Sequence, residues 1–278
     1  DAERSAAACA IAVHLNSEQR SFEAAGAAVP EGLSDAFAQA GACRELVYAI
    51  KRLVRGLTSS RGCARQGFAT ALARVISDDT LTEPTPLRCI LVLLDETTDC
   101  PNGLKGQEAR EKLFGRIFGY VALQRSGRLY AAAGADESAE SAVEAQMARA
   151  LLLIGRQKPY LREVCAQAVA ALVWSAPSVE ALRAKLLPAL KAEWEGECIE
   201  WTAEQLGLAF HVAHFIALRG DGDDELPNWL TDVIAATAAT RSNAEQWRPS
   251  LVESARTFPR VHSIWGILAT SADALASA

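Results

Sequence analysis

Apolar residues recur along this chain at intervals of three and four. Leu46, Ile50, Leu53 and Leu57 step by four, three and four, which puts them on one stripe of an α-helix, widened by Val47 and Val54. Gly56 lies near the end of that helix, where a left-handed terminal residue is tolerated. Thr58-Ser59-Ser60 then offers N-caps for a second helix bearing Phe68, Leu72, Val75 and Ile76. So short a turn makes the two antiparallel neighbours. Pro84 and Pro86 start a helix through Leu94, Pro101-Asn102-Gly103 breaks the chain, and a long helix covers 106–125. Further helices are predicted near 138–155, 160–174, 179–192, 202–218, 227–239, 245–256 and 261–276, with Pro159, Pro177, Pro227, Pro249 and Pro259 at starts or breaks. The apolar run Cys89–Leu94 is short, but its neighbours read as helix, and no strand pattern competes.

About a dozen helices with short connections predict an all-α fold, an α-solenoid of stacked antiparallel helix pairs of the HEAT or armadillo kind. No strict sequence repeat is present, and no internal boundary stands out, so 1–278 reads as one helical-repeat array. Composition agrees: half of the 278 residues are hydrophobic, with only 18 Gly and 10 Pro. No apolar run approaches the roughly 20 residues that span a bilayer, and no membrane partner is expected. Residues 1–15 lack the basic start of a signal peptide. The chain opens without Met, as a piece of a longer protein would.

Charge changes this picture. The net charge is −6, which speaks against nucleic acid, but its distribution does not. Between 44 and 74 stand seven bases (Arg44, Lys51, Arg52, Arg55, Arg61, Arg65, Arg74) against Glu45 alone. Between 105 and 128 stand six (Lys105, Arg110, Lys112, Arg116, Arg125, Arg128) against Glu108 and Glu111. Such asymmetry gives an acidic protein one basic face. Lys51 and Arg55 are four apart, as are Arg61 and Arg65, so each pair shares a helix face away from the apolar stripe. Arg44, Lys51, Arg52, Arg55, Arg61 and Arg65 are therefore the candidate binding residues. Phosphates attract such a cluster through counterion release, without reading bases. Carboxylates of a partner protein satisfy the same guanidiniums. A merely solvated face is the third reading.

Other constellations carry less. Gly115 and Gly119, four apart, allow close approach of a neighbouring helix, and Ser126-Gly127-Arg128 caps a C-terminus. His211 and His214 form H-x-x-H without a third ligand, so no metal is expected. Asp221-Gly222-Asp223-Asp224-Glu225 resembles half a calcium loop but lacks the glycine at its sixth position, where Leu226 stands; it reads as a solvated acidic loop, and Arg219-Gly220-Asp221 as chance. The seven cysteines (9, 43, 63, 89, 100, 165, 198) are odd in number and include no C-x-x-C pair. They are expected to be reduced, zinc-free residues of a reducing compartment. There is no P-loop lysine motif, no G-x-S-x-G and no dinucleotide fingerprint, so neither catalysis nor a cofactor is expected.

Three segments carry a family resemblance. They are 44–76; Leu113-Phe114-Gly115-Arg116-Ile117-Phe118-Gly119-Tyr120 and on to Leu129; and, more faintly, Thr257-Phe258-Pro259-Arg260-Val261-His262-Ser263-Ile264-Trp265. In this order they resemble the N-terminal signature of the DNA polymerase phi / Myb-binding protein 1A family. The resemblance implies the N-terminal part of a longer nucleolar protein with a helical-repeat scaffold. It implies rRNA or rDNA, pre-ribosomal assembly factors and transcription factors as partners, and the nucleus and nucleolus as location. The first function reading is a scaffold in rRNA synthesis or pre-ribosome assembly; the second is a transcriptional co-regulator that binds only proteins; the third is a DNA polymerase, which the family name alone implies. Arg128 and Trp265 are expected to be structural, with Trp265 buried on a stripe with Val261, Ile264 and Leu268.

Overall fold

A computed structural model describes residues 2–26, 35–101, 104–130, 142–220 and 226–257. The fold is all-α: thirteen α-helices and a few 3-10 turns are present among the described residues, and no strand. None of these helices is long and apolar enough to cross a membrane. The chain divides into two compact units, Asp1–Leu129 and Tyr130–Ala278. The expected helix at 261–276, Trp265 and the acidic loop 221–225 lie outside the described residues.

The first unit contains α1 (Ala2–Ala24), α2 (Asp35–Gln39), α3 (Arg44–Gly56), α4 (Gly62–Ile76), α5 (Leu87–Thr97) and α6 (Gly106–Arg125). The helix α1 escaped the sequence pattern because it has no large apolar stripe. It buries Ala8, Ala12, Leu15 and Gln19 instead, a narrow face of mostly small residues. Arg4 meets Gln66 at 3.0 Å and Asn16 meets Asp78 at 2.8 Å, so α1 and α4 run parallel, each contact about sixty residues apart. The buried Gln19 amide donates to the Gly41 carbonyl and accepts the Cys43 N–H. Cys43 is the N-cap of α3, its Sγ accepting from Leu46 N–H. Every polar group at this buried junction therefore has a partner, as burial requires.

Two local expectations differ from the structure. Arg61, not a serine or threonine, occupies the N-cap of α4, without a side-chain cap; Ser59 Oγ accepts the Arg61 N–H in the turn before it. Gly56 is an ordinary helical residue at the end of α3. Its value is the missing Cβ, which would sit 2.4 Å from Phe68 Cγ.

Helices α5 and α6 pair antiparallel through polar contacts one turn apart. Lys112 donates to Asp99 O, Arg116 to Thr98 Oγ1 and Asp95 O, and Tyr120 to Asp95 Oδ1 at 2.7 Å. Burial, with the Asp95 carboxylate beside it, pushes the Tyr120 phenol well above its ordinary pKa, so it stays a donor. Gly119 lets Leu94 onto the α6 backbone, and Gly115 lets in the Leu57 carbonyl. These are the close approaches that the glycine spacing predicts.

The second unit contains α7 (Val143–Gln157), α8 (Arg162–Trp174), α9 (Val179–Lys185), α10 (Leu187–Leu190), α11 (Ala203–Arg219), α12 (Asn228–Ala236) and α13 (Arg241–Thr257). The single helix expected at 179–192 is broken at Leu186, because Pro188 in the following turn has no N–H to give and its ring crowds the preceding turn. Pro249, expected to mark a start or break, instead lies inside α13. Gly155 lets α7 approach α8 closely: a Cβ there would lie 3.4 Å from Arg162 Cα. Thr202 and Gln205 form a reciprocal capping box at the start of α11. Trp174 Nε1 donates to His211 Nδ1 at 3.1 Å, and its ring lies edge-on to His214 and Phe215. The H-x-x-H pair thus packs around an indole, and no cluster of potential metal ligands occurs among the described residues.

Candidate functional site

The apolar side of α3 is fully spent: Leu46, Val47, Ile50, Leu53 and Val54 are buried. Amphipathicity then dictates what faces water. Arg44, Tyr48, Lys51 and Arg55 follow at steps of four, three and four, and so form a single stripe opposite the core. Arg44, Arg52 and Arg55 are exposed and Lys51 half-exposed, with Arg61 exposed at the start of α4. None of these five cations has an acidic partner among the described residues. At 1.5 Å per residue the stripe is about 16 Å long. Tyr48, 66% exposed, lies in its middle. Charge reasoning passed over Tyr48; its place between Arg44 and Lys51 on the polar side of the periodicity is the signal that finds it.

Two of these charges stand where helix stability disfavours them. Arg44 opens α3 and Arg61 caps α4, and a cation at a helix N-terminus opposes the macrodipole. The α4 start has neither a side-chain cap nor an acid in its first turn, so its N–H groups add to the positive field of Arg61.

Arg65 departs from the expected set. It is half-buried, donates to the Ser59 carbonyl, and its guanidinium lies 5.0 Å from the Phe114 ring centre and 5.9 Å from that of Phe118. Its charge is engaged in clamping α4 to α6. Arg61 and Arg65 therefore do not act as one exposed pair. Arg128 is also architectural, as expected, but through other partners than its own helix end: it donates to Ile76 O, Thr82 O and Thr85 Oγ1 at 3.1, 2.8 and 3.0 Å. Gly127 before it turns the chain with a φ of +73°. The segments 44–76 and 113–129 thus meet in one unit, with Gly115 against Leu57, Phe114 and Phe118 against Arg65, and Arg128 against the end of α4.

This all-α chain, with its basic helix set on an otherwise acidic protein, belongs to the DNA polymerase phi family, whose sequence pattern matches residues 48–274. Among curated proteins it is 33% identical over 135 residues to the rDNA transcriptional regulator pol5 of Schizosaccharomyces pombe, covering 49% of this chain and 13% of that protein. It is 39% identical over 85 residues to Myb-binding protein 1A of Homo sapiens, and 37% over 86 residues to a Myb-binding protein 1A-like protein of Danio rerio. Each of these two matches covers 31% of this chain and 6% of the relative. The matches thus span a small part of the relatives' length. No solved structure matches the chain.

Proposed function

We propose that this chain is the nucleic-acid-contacting region of a nucleolar scaffold that serves rDNA transcription and pre-ribosome assembly. The carrying observation is the polar side of α3: Arg44, Lys51 and Arg55 on one stripe with Arg52 and Arg61 beside it, all exposed or half-exposed and without an acidic partner among the described residues. Arg44, Lys51, Arg52, Arg55 and Arg61 meet phosphates of rRNA or rDNA, releasing condensed counterions. Tyr48 adds a flat surface on which an unpaired base stacks. The scaffold works by holding partners and not by catalysis, a reading supported by the lack of any nucleotide-binding or nucleophile motif in the sequence. The name of the fission-yeast relative, an rDNA transcriptional regulator, supports the rDNA side of the reading.

A second reading draws support from the name of the human relative, a Myb-binding protein: acidic segments of transcription factors or assembly factors dock on the same stripe. One experiment separates them. The chain and its Lys51→Glu/Arg52→Glu/Arg55→Glu/Arg61→Glu variant are titrated with single-stranded and duplex rDNA-derived oligonucleotides at several salt concentrations. The expected result is weaker binding, with the log–log salt slope flattened by about 0.7–0.9 per lost phosphate contact. Unchanged affinity and slope refute the nucleic-acid reading. If neither form binds nucleic acid, yet the variant loses pre-ribosomal particles, the protein-only reading takes its place.

A further inference from the structure

The second unit holds a cavity of about 200 Å³ whose walls include Leu152, Gly155, Cys165, Ala166 and Leu208. Its polar side is lined by Arg156 and Arg162 and by two carboxylates, Glu193 and Glu204, both more than nine-tenths buried. Their circumstances differ. Glu193 is held by the Arg156 guanidinium. Neither oxygen of Glu204 meets a hydrogen-bond donor. Arg162 Nε stands 3.7 Å from Glu204, and the same guanidinium gives its Nη1 to Glu253 at 3.1 Å. Three carboxylates thus share two guanidiniums, and Glu204 is the one that receives a hydrogen bond from neither. Burial pushes the Glu204 carboxyl above its ordinary pKa; the positive charge of Arg162 opposes the push, and the Glu253 carboxylate adds to it. A buried carboxylate in this state is costly, and the cost falls when a cation arrives. Meanwhile the apolar walls suit methylene groups, and the volume exceeds what a few waters need.

We propose that this cavity binds an alkyl chain ending in a primary ammonium or guanidinium group, with the charge on Glu204 and the methylenes along Leu152, Ala166 and Leu208. A free small amine and a lysine or arginine side chain of a partner protein offer the same chemistry. The site shares no residue with the α3 stripe and does not depend on what that stripe binds.

The test is methyl-resolved NMR of the whole 278-residue chain, titrated with n-butylammonium or n-butylguanidinium chloride and, separately, with n-butanol at equal ionic strength. Saturable shifts of the Leu152 and Leu208 methyls by the two cations are expected, with n-butanol binding at least tenfold more weakly. Glu204→Gln should erase the cations' advantage. Leu152→Phe, which fills the cavity and leaves the charges alone, should block every ligand and keeps the test readable if Glu204→Gln fails to fold. A blocked Gly-Gly-Arg-Gly-Gly peptide that saturates the same methyls at lower concentration than n-butylguanidinium assigns the cavity to a partner's side chain. Binding of the free cations with the peptide excluded assigns it to a small amine. The proposal is overturned by equal affinity for n-butanol and the cations, by no saturable shift at these methyls, or by unchanged cation binding in the Glu204→Gln variant.

Discussion

Arginine does two opposite jobs within the first unit. Arg128 replaces water at the carbonyls of Ile76 and Thr82 and at the Thr85 hydroxyl, and burial lowers its pKa without removing its charge at neutral pH. Hydrogen bonds to a charged donor are worth about 1.5–3 kcal/mol each, and an acceptor left dry costs more than one that rehydrates. Arg128→Met should therefore destabilise the chain by roughly 3 kcal/mol in urea denaturation, whereas Arg52→Gln, at an exposed position before the last turn of α3, should change stability by no more than about 0.5 kcal/mol. Cys165 shows burial acting on a weak acid. Loss of solvent pushes its thiol up to about 12 from 9.0. The unfolded chain ionises first, so this residue favours the fold fully below pH 9.0, and that contribution declines as pH rises towards 12. Iodoacetamide at pH 8 should label the exposed Cys9 and Cys63 well before Cys165, as peptide mass spectrometry would reveal.

Among elements, the contrast between α4 and α6 turns on two glycines. In α6, a Cβ at Gly119 would lie 2.4 Å from the Leu94 side chain, which is fully buried and has no room to yield. The helix-propensity gain of about 1 kcal/mol for Gly→Ala is then outweighed by overpacking, and Gly119→Ala should destabilise by up to about 2 kcal/mol net. In α4, a Cβ at Gly67 meets nothing within 4 Å. There the propensity term stands alone, and Gly67→Ala should raise the urea midpoint, by up to about 1 kcal/mol of stability. Helix α3 makes a different prediction. Tyr48→Ala should weaken single-stranded nucleic-acid binding by about 1–3 kcal/mol, a stacked base's worth. Its salt slope should not change, because no charge is lost; a slope altered by this variant would mean that the whole stripe had shifted.

The 278-residue chain carries −6, and its regions outside the two basic windows therefore repel phosphate. Five cations on and beside α3 cap the number of phosphate contacts the stripe makes. The salt slope of binding should be no steeper than about −4.5, five contacts at about −0.9 each. A steeper slope in a salt titration would place further contacts elsewhere. The long-range repulsion also means that reversing the stripe should weaken binding most steeply at low salt, where the net negative charge is least screened.

The sequence by itself determined the helical class and the places of α3, α4, α5 and α6, four of the six helices in the first unit, because periodicity of apolar residues is a local property that burial of one face enforces. It also determined the polarity of α3: with Leu46, Ile50, Leu53 and Val54 turned inward, Arg44, Lys51 and Arg55 had to face out. It did not reveal α1, whose buried face of Ala8, Ala12, Leu15 and Gln19 is marked as a stripe only when α4 lies against it, nor the short α2. It did not foresee the break at Leu186, where Pro188 removes a donor. Which arginines are free was also beyond it. Arg61 and Arg65 have the same spacing as Lys51 and Arg55, but Phe114 and Phe118 arrive from some fifty residues away and take Arg65. Nor could Glu204 be told from any other acid at a helix start, since its missing donor and the cavity beside it exist only once α7, α8 and α11 enclose them. Side-chain direction along one helix follows from local geometry; the partner of each charge is set by which elements meet, and that is a property of the tertiary fold.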